Sequence, residues 1–267
     1  MHAENYFREG DLEGATECLK EQIRDQPGEV KYRIFYFQLL AVLGEWDRSL
    51  KQLDVIADLD AGALPMVHLC QKAIQCEAIR ADVFRGRLQP TIFGKPPEWI
   101  ALLIESLRLT IEEKYDQAME IRNQAFEQAD PRGGTINETP FEWIADADTR
   151  YGPVLEAILN GGYYWIPFER IKAIQIEPPE DLRDLVWLPT HFTWENGGQL
   201  YGLIPARYPG SESSRDMVIQ LARKTKWREL SSDLFQGIGQ RMLATDRADY
   251  PLFDVRNLIF SSETVTD

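Results

Sequence analysis

The sequence predicts an α+β fold: an N-terminal tetratricopeptide-like α-helical repeat region, residues 1–132, followed by a β-rich antiparallel domain, residues 140–267, built as a small barrel or sandwich. Three observations predict it. A phrase recurs in phase after 34 residues, the length of a helix–turn–helix repeat unit. Two Asn-Gly pairs, Asn160-Gly161 and Asn196-Gly197, each sit between apolar runs. The hydrophobic period changes after "DPRGGTINETP", where Gly133-Gly134 and Pro140 read as a linker.

The repeated phrase is "EGDLEGATECLKEQIRDQP" against "GEWDRSLKQLDVIAD". Gly10 and Gly44 end a first helix, where a residue without a Cβ can turn the chain. Leu12 and Trp46 restart the chain in a second helix. Ala15 and Ser49 are small enough to let two helices approach, and Leu19 and Leu53 lie one turn further along the same face. Pro27 stops the second helix of the first unit. "EKYDQAMEIRNQAFEQADP" is a degenerate third copy, with Tyr115, Ala118 and Ala125 in phase, Glu113 in place of the turn glycine and Arg122 in place of the leucine. Between copies, "LPMVHLCQKAIQCEAIRADVF" predicts a helix with Leu69, Ala73, Cys76 and Ile79 inward, and Pro97 opens the next helix in its first turn.

In the second half, "VLEAILNGGYYWIPFERIKAIQIEPP" predicts two or three strands. A hairpin at Asn196-Gly197 joins Thr190–Glu195 to Gln199–Pro205, with Phe192 and Trp194 on its buried face. "SRDMVIQLARKT" predicts a short helix, and "QRMLATDRADYPLFDVRNLIF" two more strands, giving about six short strands in all.

Apolar residues make up 44% of the 267, enough for a sizeable core. The net charge of −14 is spread over both halves, so neither presents the basic face that a nucleic-acid binder needs. There is no leader-like segment and no apolar run long enough to span a membrane. Cys18, Cys70 and Cys76 are an odd number in helical surroundings, as expected of reduced thiols in a cytoplasmic protein. Asn137-Glu138-Thr139 matches a glycosylation pattern that is idle without secretion.

No cofactor-binding or catalytic motif is present. His2, His68 and His191 are far apart and form no zinc helix. "IFGKPP" lacks the glycine and hydroxyl residue of a phosphate loop, and Gly237-Ile238-Gly239 lacks the third glycine of a dinucleotide site. Asp146 and Asp148 in "WIADADTRYGP" could chelate a divalent metal for an enzyme; the alternative is a structural turn paired with Arg150.

"FEWIADADTRYGPVLEAILNGGYYWIPFERI", followed by "LRDLVWLPT" and "RYPGS", closely resembles the ImpE family, also called TagJ or SciE, accessory proteins of the bacterial type VI secretion system. The resemblance runs over nearly the whole chain and is densest in the second half. It implies a non-enzymatic cytosolic adaptor that binds the small subunit of the contractile sheath near that subunit's N-terminal helix. Through this it influences sheath assembly or recycling by the system's ClpV-type ATPase. A general tetratricopeptide-type chaperone is the alternative within the same architecture.

Stacked helical pairs leave a groove lined by the first helix of each unit. The repeat phase places Phe7 from the first unit on that side, with Lys31, Ile34, Gln38 and Ala41 from the second and Ile100, Leu103, Leu107 and Thr110 from the third. Such an apolar stripe suits the apolar face of an amphipathic partner helix.

Overall fold

The computed structural model describes residues 3–261. Its N-terminal half is built of helical hairpins: α1 (Ala3–Glu9) with α2 (Leu12–Asp25), α3 (Val30–Val42) with α4 (Trp46–Leu59), then α5 (Leu64–Phe84), and α6 (Trp99–Ile111) with α7 (Tyr115–Gln128). Each hairpin turns where the repeat phase places the turn. Gly10 and Gly44 take φ of +82° and +70°, and Glu113 takes the same left-handed region at +59°, where a side chain costs about 1 kcal/mol. Asp11 caps α2 by accepting from the Gly14 N–H at 2.7 Å.

The small residues act as predicted. Ala15, Leu19, Ser49, Leu53, Ala118 and Ala125 are all fully buried. The Ser49 hydroxyl donates to the Phe37 carbonyl at 3.0 Å across the α3–α4 seam, and Ser106 donates to the Ala118 carbonyl at 2.7 Å across the α6–α7 seam. A hydroxyl that bonds backbone on the facing helix both permits and fixes a close approach.

The second half forms β1 (Gly134–Ile136), β2 (Thr139–Phe141), β3 (Ile144–Asp146), β4 (Val154–Leu159), β5 (Gly162–Pro167), β6 (Ile171–Ile176), β7 (Trp187–Trp194), β8 (Gln199–Pro205), the short helix α8 (Met217–Gln220), β9 (Thr225–Ser231), β10 (Leu234–Gly239), β11 (Met242–Thr245), β12 (Asp249–Pro251) and β13 (Asn257–Phe260). An eight-stranded sheet runs in the order β2-β1-β13-β6-β7-β8-β4-β5; β12-β11-β3 and β10-β9 make smaller sheets. All the named strand pairings are antiparallel.

The β4–β5 end of the large sheet is covered on both faces. Val154 and Ile158 join an apolar core that also contains Phe37, Leu53, Ala73 and Leu103 of the helices. Leu155, Ala157 and Leu159 point the other way, into a second core with Phe168, Phe192, Leu243 and Leu252. Period-2 alternation thus feeds two cores from one strand. On α5, the Cys76 thiol donates to the Gly161 carbonyl at 3.4 Å, and burial pushes the thiols of Cys70 and Cys76 up to about 11.

Several expectations are corrected. The stretch read as a linker is the β1–β2 hairpin. Gly134 is there because a Cβ would lie 2.2 Å from the Ile259 carbonyl oxygen on β13. Its turn uses Asn137 and Glu138 at φ of +47° and +71°, with no glycine. The Asn137 side-chain amide of the apparent glycosylation pattern is spent on backbone: it donates to the Asp254 carbonyl at 2.7 Å and accepts from the Arg256 N–H at 2.8 Å. The chain has more strands than the six or so expected, since β1, β2, β3, β9 and β10 lack clear alternation. Asn160 and Gly161 both turn at positive φ (+50° and +76°), but at the second Asn-Gly only Gly197 does, in a longer loop. On α5, Leu69 and Ile79 are 48% and 40% exposed, while Val67, Cys70, Ile74 and Val83 face inward beside Ala73 and Cys76. α6 begins at Trp99, with Glu98 at its N-cap position and no side-chain cap, so Pro97 precedes the helix.

Candidate functional site

Four of the groove residues predicted from the repeat phase come together. Phe7 of α1 and Lys31, Ile34 and Gln38 of α3 line one cavity of about 570 Å³. Its floor is apolar: Phe7 meets Phe35 edge to face at 6.2 Å between ring centroids, and Ile34 and Tyr32 continue the surface. Its rim carries Glu4, Arg8, Lys31, Glu180 and Asp181.

Gln38, Lys31 and Ile34 share one face of α3 because 3.6 residues make a turn, so positions i, i+3 and i+7 align. The opposite wall was missed from sequence. It is the 3₁₀ turn Leu182–Leu185 in the connection from β6 to β7. Pro178-Pro179 breaks the strand, and Asp184 folds back to accept from the N–H groups of Glu180 and Asp181, both at 2.9 Å. The Leu182 N–H donates to Gln38 Oε1 at 3.1 Å, tying the β half to the floor of the groove. The available signal was the "PPEDLRD" pattern itself, a breaker followed by capping carboxylates.

The remaining predicted groove residues are elsewhere. Ala41 is fully buried, and its carbonyl accepts from Arg207 at 3.3 Å. Ile100, Leu103 and Leu107 are 3%, 0% and 4% exposed, inside the core shared with the sheet. Thr110 turns its hydroxyl back to the Ser106 carbonyl at 2.8 Å. Other parts of the chain cover the face that Ile100, Leu103 and Leu107 share, so it is not an open groove.

Asp146 and Asp148 belong to a buried ionic cluster between the helices and the sheets. Asp148 is held by Arg150, whose Nε donates at 2.9 Å, and by the Gly237 N–H at 2.8 Å. Asp146 pairs with Arg241 instead, and accepts from the Tyr208 hydroxyl and the Asp148 N–H, each at 2.9 Å. Arg241 also pairs with Glu156 of β4, which accepts from Arg80 of α5 through Nε and Nη2, both at 2.8 Å, and from the Tyr163 hydroxyl. Burial opposes the charge on Glu156, but Arg80 and Arg241 outweigh it and hold the carboxyl down at about 2. Burial pushes Asp146 up to about 6, against the pull of Arg241. Burial also lowers Arg207 to about 10, where its main partners are carbonyls: those of Val42 at 2.7 Å and Gln220 at 2.6 Å. Among the described residues no group of three or more His, Cys, Asp or Glu side chains is placed to hold a metal ion. Nor is any helix among them long and apolar enough to cross a membrane.

Comparison with known proteins agrees with this architecture. The family model described as ImpE protein matches residues 138–259. The chain is 49% identical over 260 residues to the type VI secretion system accessory component TagJ of Pseudomonas aeruginosa, covering 97% of this chain and 91% of that one. Its fold is similar to the crystal structure of protein VPA1032 from Vibrio parahaemolyticus, with a TM-score of 0.88 at 25% identity over 99% of both chains. The helical half, which the family model does not reach, is therefore shared with both relatives, and the chain belongs to the ImpE (TagJ) family.

Proposed function

We propose that this protein is a non-enzymatic accessory protein of a type VI secretion system, acting in the cytoplasm. Its helical hairpins are tetratricopeptide-type units. Its groove between α1, α3 and the Leu182–Leu185 turn takes an amphipathic helix of the small contractile-sheath subunit. Holding that helix modulates sheath assembly or its recycling by the ClpV-type ATPase. The accessory role rests on the 49% identity to TagJ over nearly the whole chain. The docking mode rests on one observation: Phe7, Ile34 and Phe35 form an apolar floor inside a charged rim. A floor of this kind receives side chains at i, i+3/i+4 and i+7 of a helix, while the rim sets its orientation.

Ile34→Asp tests the groove. A central apolar contact costs ~2 kcal/mol or more on loss, about thirtyfold in affinity. The expected result is that the folded variant, checked by circular dichroism, binds the purified sheath subunit at least about thirtyfold more weakly. Unchanged affinity in a folded variant would move the docking surface out of this groove.

A further inference from the structure

A second cavity, of about 250 Å³, opens at the seam where α4, α5, the turn at residue 150 and the loop after β8 meet. It is unlike the groove. Three cations, Arg80, Arg85 and Arg150, line it beside two carboxylates, Glu77 and Glu212, in a chain whose net charge is −14. Arg80 and Arg150 are only 4% and 7% exposed, so their positions are fixed by packing.

Each of these two arginines uses one edge of its guanidinium internally. Arg80 gives Nε and Nη2 to Glu156, and Arg150 gives Nε and Nη2 to Asp148. The Arg80 Nη1 pairs with Glu77 Oε2 at 3.4 Å, and its Nη2 also donates to the Arg207 carbonyl at 2.7 Å. The Arg150 guanidinium lies 5.0 Å over the Phe84 ring, another wall of the cavity. Buried carboxylates thus orient two guanidiniums at a concave surface, and leave Arg150 Nη1 and one hydrogen of Arg80 Nη1 without a partner among the described residues. Gln236 and Ser213 add neutral hydrogen-bonding groups to the wall. Charge-assisted, pre-oriented donors of this kind are what an oxyanion requires.

We propose that this cavity binds a small oxyanion, the phosphate or carboxylate group of a low-molecular-weight ligand, between Arg80 and Arg150. Trp46 and Phe84 flank the position and accept an apolar body attached to that group. Occupancy bridges α5 to the turn at Arg150 and so stiffens the seam between the helices and the sheets. The site is separate from the partner groove, and its test does not depend on the secretion role.

The experiment is isothermal titration of the full-length protein with inorganic phosphate and, separately, with acetate, against sodium chloride of equal ionic strength. Saturable binding of either anion, with a dissociation constant on the order of 1 mM or tighter, is expected, and the two arms distinguish a tetrahedral from a planar group. Two variants carry opposite signs. Gln236→Glu adds a negative charge to the wall and weakens binding by about tenfold or more. Glu212→Gln removes a carboxylate that lines the same cavity and tightens it. If Gln236→Glu fails to fold, the Glu212→Gln result decides alone. Absence of saturable heat with both anions, or a dissociation constant indifferent to the loss of Glu212, overturns the proposal.

Discussion

Helices α3 and α6 begin equivalent hairpins, and the repeat phase assigns both the same concave face. On α3 that face is half open: Ile34 and Lys31 line a cavity, while Gln38 is drawn down to the Leu182 backbone and Ala41 is buried. On α6 it is closed, with Leu103 fully buried. The difference is written in side chains that a period does not weigh. α3 carries Lys31 and Gln38 among its apolar positions, which cannot be buried without partners. α6 carries Ile100, Leu103 and Leu107, and an uninterrupted apolar stripe attracts cover. Periodicity names a face; the polarity along it decides whether the fold leaves it open.

The sharpest way to break this contrast is to place a carboxylate at the matched positions. Leu103→Asp leaves a buried charge and a cavity, and should cost about 4–5 kcal/mol or more, read as loss of the cooperative urea transition or a collapse of its midpoint. If it remains as stable as the parent, the α6 face is not core. Next in size is Glu156→Gln, which leaves Arg80 and Arg241 facing a neutral group inside the protein. Removing one member of a buried ionic set costs about 3–5 kcal/mol, so the urea midpoint should fall at unchanged slope.

The pH dependence sharpens the same point for the seam behind the two helices. The Glu156 carboxyl is at about 2 when folded, against about 4.3 unfolded. A depressed value means stability complete above the unfolded value and lost as pH falls toward 2, of the order of ~3 kcal/mol. Asp146, raised to about 6, has the opposite sign: its ionised form costs stability above pH 6, recovered as pH falls from about 6 to about 4. Melting temperature followed from acid to neutral pH should therefore peak near pH ~4. Asp146→Asn should flatten the limb above the peak and keep the fall below it; a monotonic profile in the parent contradicts both assignments. The smallest stability effect belongs to Ile34→Asp, whose half-open site should lose no more than about 1 kcal/mol in the same urea titration while partner affinity falls. A loss as large as that of Leu103→Asp would mean the groove floor is core as well.

Much was legible before any coordinates. The turns at Gly10, Gly44 and Asn160-Gly161, the small residues at the helix seams and the order of helices before strands are local matters, decided by backbone sterics and by spacings of three or four residues. The α+β class followed from them. The groove was half legible: α1 and α3 supplied Phe7, Lys31, Ile34 and Gln38, but its second wall comes from a 3₁₀ turn more than 140 residues away, in the β half.

Only the tertiary structure could decide what faces what. Asp146 and Asp148 looked like a local pair beside Arg150, yet Asp146 finds its cation in Arg241, in the connection from β10 to β11. Gly134 looked like linker, yet it sits in a sheet where the neighbouring strand leaves no room for a Cβ. No motif or period marks Arg80, yet it is buried on Glu156. The reason is physical. A chain's sequence sets each residue's conformational preference and which side of an element it occupies, over a few residues at a time. Burial, ion pairing and the identity of the segment that covers or walls a helix face depend on contacts between segments far apart in the chain, and no local period encodes them.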